Sequence, residues 1–391
     1  MNIGYGNKKK NNKRGYLFMI KYPYLNIIKL FENEKYPWEY DFKNENTNEV
    51  YQKESETMKN DVLYKFALYK NDKMFDTDGT LLSSKNKDNE IFTCQLAREV
   101  YRKLFEFKDK IEEANVSRYA NCVLGEGYGP DTINTFMDVG EKLLFSEFKE
   151  KLDDNDPFKK NRSFSNNFLI HTVLEKKLGI GGKEKDKILK YLNSITTIGN
   201  YCLVPAYFNP FRGTKFKDYF DLSLVNLKCK KNSDAWNCNG NIINWQSEHF
   251  NNFINEFFLW DYVKFTNNTY DVKDMFDKSY KSEISKSITK DVRNNSIDEN
   301  TMLTFIDNAV WSIKRRGFFM TLLLEICLAD YKKYAGIKDT MKKNNICNMN
   351  DAINFVLQFC NMEKLNIKIL DTFDDDIYEV YLLYKKKVNV A

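Results

Sequence analysis

Residues 302–334 read MLTFIDNAVWSIKRRGFFMTLLLEICLADYKKY. The second half of this stretch, Phe318–Ala329, is the longest apolar run of the chain, and Glu325 lies within it. A helix of that run would rise about 18 Å against the ~30 Å of a bilayer core. The expectation is therefore that this run does not span a membrane. Arg315–Gly317 reads as an interruption and Gly336 as the close of the segment. The stretch is read as one long apolar segment of a helical region across 91–362.

Working outward, the rest of the chain supplies candidate neighbours. In Ile91–Ala114 the residues Leu96, Val100, Leu104, Phe107 and Ile111 recur at three- and four-residue steps, the helical period. Further helices are expected near 139–152, 165–178, 183–192, 217–227, 248–263 and 351–360. Gly125–Pro130 (GEGYGP) and Asp153–Pro157 (DDNDP) are breaks. Strand-like patterns are few. Val62–Tyr69 is one, and Leu365–Leu370 with Ile377–Tyr384 around Asp374–Asp376 reads as a terminal hairpin. The fold class expected is mainly α (α+β): a helical body across 91–362, a small β component, a degenerate ββα element and a C-terminal hairpin. The organisation expected is a basic tail at 1–15, a mixed region at 16–155, a helical core at 156–362 and a β-hairpin at 363–391.

Charge narrows the function classes. The chain has 391 residues, with 60 basic and 55 acidic side chains. Lys8, Lys9, Lys10, Lys13 and Arg14 supply five of the basic ones with no acid among residues 1–14, so the remainder is balanced. A nucleic-acid protein usually adds a basic face to a basic tail, and a solvated extension is the blander account. The Lys, Asn, Ile, Tyr and Phe bias looks like translation of an AT-rich genome. None of the eight cysteines forms a CxxC pair and only two histidines are present, which argues against structural zinc. No signal-peptide pattern opens the sequence. The expectation is a cytoplasmic protein with reduced cysteines.

The most function-like stretch is Ile198–Leu224, IGNYCLVPAYFNPFRGTKFKDYFDLSL. Asn200 and Asn209 flank an apolar patch, Arg212 and Gly213 follow, and a helix opens near Lys217. Two accounts compete for these residues. Asn200 and Asn209 cap turns, Asp218 is a helix N-terminal charge and Arg212 pairs with Asp218 or Asp221. Alternatively Asn200, Asn209, Arg212, Asp218 and Asp221 line a substrate or nucleic-acid surface. The pattern IGN, L, N and F/K resembles the HNH-type endonuclease domain of GmrSD-like restriction enzymes. That resemblance implies His171 as general base, Asn209 as ligand of a divalent Mg or Mn ion, and Asn200 as loop organiser. Ile170 stands where the family carries an acid, and His171 sits in a run that reads as helix. The longer signature IGN-(x)3-VP, N-(x)2-RG and KDYFDLSL resembles an uncharacterised family of bacterial proteins, which implies kinship without an assigned activity.

A second constellation is Gly125–Asn134, GEGYGPDTIN. Its glycines would let a backbone approach phosphate, with Asp131, Thr132 and Asn134 as polar groups; Asp131 or Thr132 capping a helix is the plainer account. Glu248-His249 reads as surface, Asp374–Asp376 as a solvated turn, and Lys314–Arg316 as flanking a helix break. Three functions follow. The first is a nucleic-acid-associated binding or defence-related protein with a diverged HNH-like site. The second is a metal-dependent endonuclease, and the third a non-catalytic module for a protein partner. An enzyme on another substrate would need the 125–134 loop beside the 198–224 segment.

Overall fold

The computed structural model describes residues 36–40, 100, 103–105, 120–121, 127–134, 186–187, 190–191, 194–195, 197–205, 219–229, 236–238, 241–243, 248–284, 298–373 and 376–390. They are mainly helical with a small antiparallel β component. The Val62–Tyr69 strand and the 139–152 and 165–178 helices lie outside the described residues.

In chain order the strands are β1 (Ala120–Asn121), β2 (Gly127–Thr132) and β3 (Tyr201–Pro205), then helix α1 (Phe220–Cys229). β4 (Trp236–Cys238), β5 (Asn241–Ile243), α2 (Glu248–Glu256), β6 (Val263–Thr266) and β7 (Thr269–Val272) follow. From Glu299 on, the described elements are helices: α3 (Glu299–Ala329), α4 (Tyr331–Lys343), α5 (Met349–Phe359), α6 (Ile367–Thr372) and α7 (Asp376–Val390).

α3 is the axis of the molecule. It runs 31 residues, and Phe318, Phe319, Met320, Leu322, Leu323, Leu324 and Ile326 are all buried. Consecutive buried positions mean that partners surround the helix. The 3-10 turn Pro37–Glu39, the 3-10 turn Ile198–Asn200, α4, α5 and α7 all pack on it. Trp38 seats its ring edge-on to Phe318 at 5.1 Å and Tyr381 at 5.2 Å. Phe258 and Trp260 do the same to Phe319.

The expected break at Arg315–Gly317 is absent; α3 passes through it. A mid-helix glycine costs about 1 kcal/mol against alanine, and its use here is close approach. A Cβ on Gly317 would lie 3.2 Å from the Cβ and carbonyl oxygen of Trp38. The actual stop is Asp330. Its extended backbone ends α3 while its carboxylate accepts from the N–H groups of Lys332 and Lys333 to cap α4. Gly336 does not close anything and lies inside α4. Asn348 and Asn366 cap α5 and α6 in the same way, as short side-chain acceptors do.

The expected C-terminal β-hairpin at 363–391 is overturned: Ile367–Thr372 and Asp376–Val390 are helices. Ile377, Tyr381, Tyr384 and Val388 are the buried positions of α7. Their steps of four, three and four are helical, and they override the short-range alternation that suggested strands. Phe373, with φ 48°, makes the left-handed residue after α6.

The helix expected at 248–263 stops at Glu256. Phe258, at φ 57°, turns the chain into a 3-10 turn, Trp260–Tyr262, and then into the β6–β7 hairpin. Asn267 and Asn268, at φ 50° and 62°, form its two-residue turn. Asparagine tolerates that left-handed pair and matches strand twist. The stretch read as a polar loop at 232–245 contains the β4–β5 pair.

Candidate functional site

The two motifs of interest meet. β2 pairs antiparallel with β3, with Asp131 opposite Cys202 and Thr132 opposite Tyr201. Pro130–Thr132 is thus a strand, not a helix start. The anticipated ββα arrangement is also different: within 198–224 the described residues hold a single strand, β3, whose partner comes from the glycine-rich stretch.

Beyond the last strand pair the ladder continues through a side chain. The Ile133 N–H donates to the Asn200 carbonyl at 2.7 Å. The Asn134 N–H donates to Asn200 Oδ1 at 2.9 Å, and Asn200 Nδ2 returns a bond to the Asn134 carbonyl at 2.8 Å. The second Nδ2 proton goes to the Ile195 carbonyl at 2.7 Å. A buried amide must find such partners or carry the cost of desolvation, and Asn200 spends both donors and an acceptor on backbone. Asn134, also buried, donates from Nδ2 to the Tyr262 hydroxyl at 3.1 Å.

Gly199 lets this turn touch α3. A Cβ there would sit 1.9 Å from the Ile313 carbonyl oxygen and 2.8 Å from the Gly317 nitrogen. Arg316 then reaches back from α3. Its Nε donates to the Phe257 carbonyl at 2.8 Å, and its Nη1 to the carbonyls of Gly199 at 2.7 Å and Tyr201 at 2.5 Å. One guanidinium fork therefore fastens the signature turn, the start of β3 and the end of α2 to one turn of α3. Among the described residues no carboxylate pairs with Arg316. Its Nη2 and Asn134 Oδ1 make no hydrogen bond there.

Arg315 is one residue earlier and points about 100° away. Its Nε pairs with Asp261 Oδ2 at 3.0 Å, both side chains being buried. It also donates to the Leu370 carbonyl and to Asn350 Oδ1, with its guanidinium 4.3 Å from the Trp311 ring. Lys273 donates to the Asp261 carbonyl at 2.9 Å. Burial holds its ammonium below the ordinary lysine range, opposed by the Asp261 charge. Burial likewise pushes the Tyr262 and Tyr280 phenols well above theirs, and Arg316 pulls Tyr262 back in part. Both phenols stay protonated as hydrogen-bonding groups.

Asp221, near the start of α1, is buried as well. Oδ1 accepts from its neighbour Leu222 N–H at 2.8 Å and Oδ2 from the Met275 N–H at 3.2 Å. The carboxylate thus clips α1 to the loop after β7.

Of the residues singled out from sequence, Asn134 and Asn200 are brought together, and Asp131 joins them through the β2–β3 ladder. Asp221 is placed in a separate contact. His171, Asn209, Arg212 and Asp218 lie outside the described residues, as do the side chains of Glu248 and His249. Sequence reasoning missed Asp261 and Tyr262, and it read Arg315 and Arg316 as flanking a helix break. The signal was available: adjacent arginines in the most apolar helix of the chain are almost never buried without dedicated partners.

The chemistry open to this arrangement is narrow. The Asn200 amide and the Asp221 carboxylate each hold backbone N–H groups. Among the described residues no cluster of three His, Cys, Asp or Glu side chains could hold a metal ion. Asn209 and His171, which the HNH resemblance implies as metal ligand and base, lie outside the described residues. Cys347 and Cys360 have thiols raised by burial, which disfavours the thiolate needed for nucleophilic work. No helix among the described residues is long and apolar enough to cross a membrane. Compared with protein-family models, curated proteins and solved structures, the chain matches none.

Proposed function

We propose that this chain is a nucleic-acid-associated binding protein in which the HNH-like signature serves as scaffold and carries no catalysis. The observation that supports this reading is the fate of Asn200. Its amide is spent on Asn134 and Ile195, deep in the junction with α3. A residue held that way organises the backbone and touches no substrate. The nucleic-acid half of the reading leans on charge: five basic side chains and no acid in residues 1–14, and the lysine-rich α4. Kinship with bacterial proteins that share the signature, and a role in defence against foreign nucleic acid, belong to the same reading.

The test pairs binding with cleavage on the full chain. Fluorescence anisotropy with labelled oligonucleotides should show binding that weakens as salt rises. Plasmid DNA incubated with the protein and Mg²⁺ or Mn²⁺ should stay supercoiled. Metal-dependent nicking that disappears in His171→Ala and Asn209→Ala would establish the nuclease instead. Absence of any salt-sensitive binding would overturn the nucleic-acid reading and leave the protein-interaction module.

A further inference from the structure

α4 carries more positive charge than its ion pairs use. Between Tyr331 and Lys343 there are five lysines and a single acid, Asp339. The apolar stripe of the helix, Tyr334, Ile337 and Met341, is turned into the core. Lys338 pairs with Glu256 at 3.2 Å. Lys332, Lys333, Lys342 and Lys343 have no carboxylate within ion-pair distance among the described residues. Lys342 and Lys343 sit in the last turn, where the helix dipole favours cations.

Lys332 and Lys333 are the anomaly. They occupy the first turn of α4, which contains no acid, and there the dipole opposes them. A local rule broken without an internal gain points to use elsewhere. The same end of the helix exposes two large rings, Tyr331 at 45% and Phe359 at 39%. The Lys103 ammonium lies 5.6 Å from the Tyr331 ring and that of Lys333 lies 5.9 Å from the Phe359 ring. The rim thus runs Lys103, Tyr331, Lys332, Lys333, Phe359, alternating cations with aromatic faces.

We propose that this rim binds a single-stranded nucleic acid, with Lys332 and Lys333 on phosphates and the Tyr331 and Phe359 rings stacking on bases. The inference rests on the nucleic-acid association proposed above and adds the strand type and the surface. A polyanion answers the uncompensated lysines, and unpaired bases answer the rings, since every base offers a π-face. A duplex keeps its bases stacked inside and would leave both rings idle. A lipid surface is disfavoured because the apolar stripe that would insert is already buried.

The experiment uses the full chain and fluorescein-labelled dT and rU 12-mers in an anisotropy titration over a salt series. A blunt duplex and phosphatidylserine vesicles serve as comparisons. Wild type should prefer the single strands. Lys332→Ala/Lys333→Ala should flatten the log–log salt slope by about 1.4 and weaken binding about 25-fold at 0.1 M salt, from roughly 0.7 per single-strand phosphate contact. Tyr331→Ala and Phe359→Ala should each weaken binding about 5-fold or more. Lys364→Ala/Lys368→Ala, exposed lysines elsewhere, should change it less than 3-fold, at roughly the size of a lost rim charge. Lys332→Glu/Lys333→Glu should lose binding while melting no lower than wild type, because acids suit a helix N-terminus. That last variant separates recognition from folding. Oligonucleotide binding that none of the rim variants alters would overturn this surface and leave the proposed function standing. No oligonucleotide binding by wild type would overturn both. Equal binding of the duplex or of the vesicles would overturn the single-strand assignment.

Discussion

Alanine placed at three glycines tests whether the Gly199 junction is the tightest point of the fold. Gly199→Ala puts a methyl group 1.9 Å from the Ile313 carbonyl oxygen, where real Cβ contacts do not fall below 3.0 Å. Both groups belong to backbone, so the turn and α3 must separate by at least about 1.1 Å. That motion stretches the Arg316–Gly199 bond from 2.7 Å beyond hydrogen-bond range. Overpacking of this kind costs about 1–3 kcal/mol, and a lost bond to a buried charged donor adds about 1.5–3 kcal/mol. The expected loss is about 3–6 kcal/mol, a large share of the ~5–15 kcal/mol that holds a domain. Gly317→Ala meets Trp38 at 3.2 Å; its helix-propensity gain of about 1 kcal/mol roughly cancels the squeeze. Gly336→Ala meets nothing within 4 Å and should stabilise α4 by about 0.5–1 kcal/mol. Urea unfolding followed by tryptophan fluorescence and by helical circular dichroism gives the order. Gly199→Ala within about 1 kcal/mol of wild type would refute the close approach and, with it, the assignment of the signature to scaffolding.

Three further predictions come from the polar groups. Asn200→Ala strands the Asn134 N–H and the carbonyls of Asn134 and Ile195, so stability should fall by about 2–4 kcal/mol, with faster hydrogen exchange at the Asn134 amide. Arg316→Lys keeps the charge but cannot span three carbonyls as a planar fork does. It should lose about 3 kcal/mol or more by thermal and urea melts, and an unchanged melt would deny Arg316 its fastening role. Glu325 gives a pH signature. Burial raises its carboxyl above the ordinary range, opposed by the Tyr381 hydroxyl and Lys385. The folded state therefore binds the proton more tightly than the unfolded chain. Stability falls as pH rises from the ordinary glutamate range through the raised folded value. Glu325→Gln removes that loss, so it should melt higher than wild type at pH 7, with the gap closing toward pH 4.

How much of this was legible depended on whether a pattern was set locally. The 302–334 stretch was read as long and apolar but broken at Arg315–Gly317, whereas α3 is a single 31-residue helix, and α5 lies where a helix was expected at 351–360. The stop at Asp330 was not legible: the apolar pattern runs on past it, and a single side chain capping the next helix decides the boundary. Gly317 was misread because glycine in a helix signals weakness from sequence, whereas here it signals the proximity of Trp38 and Gly199. The C-terminal helices were misread because short alternating runs fit both periods until burial at Ile377, Tyr381, Tyr384 and Val388 selects one. Asn134 and Asn200 were flagged as candidates, but their pairing was invisible. They are 66 residues apart, and only the β2–β3 register brings them together.

Buried polarity and function separate in this molecule. Arg315, Arg316, Asp221 and Asp261 are the buried ionisable groups that a search for a site would select first. Yet Arg316 ends on three carbonyls, Asp221 on two N–H groups, and Asp261 on Arg315. Each joins elements far apart in sequence: α3 to the 198–200 turn, α1 to the loop after β7, α3 to the turn before β6. Groups with those partners hold distant elements of the fold together. The chemistry available to a partner must therefore lie where polar groups are left uncommitted by packing. Among the described residues the first turn of α4 carries Lys332 and Lys333 without a carboxylate partner and against its own helix dipole. The I-G-N turn is committed to its junction with α3, and the single-strand surface proposed above draws on the first turn of α4 instead.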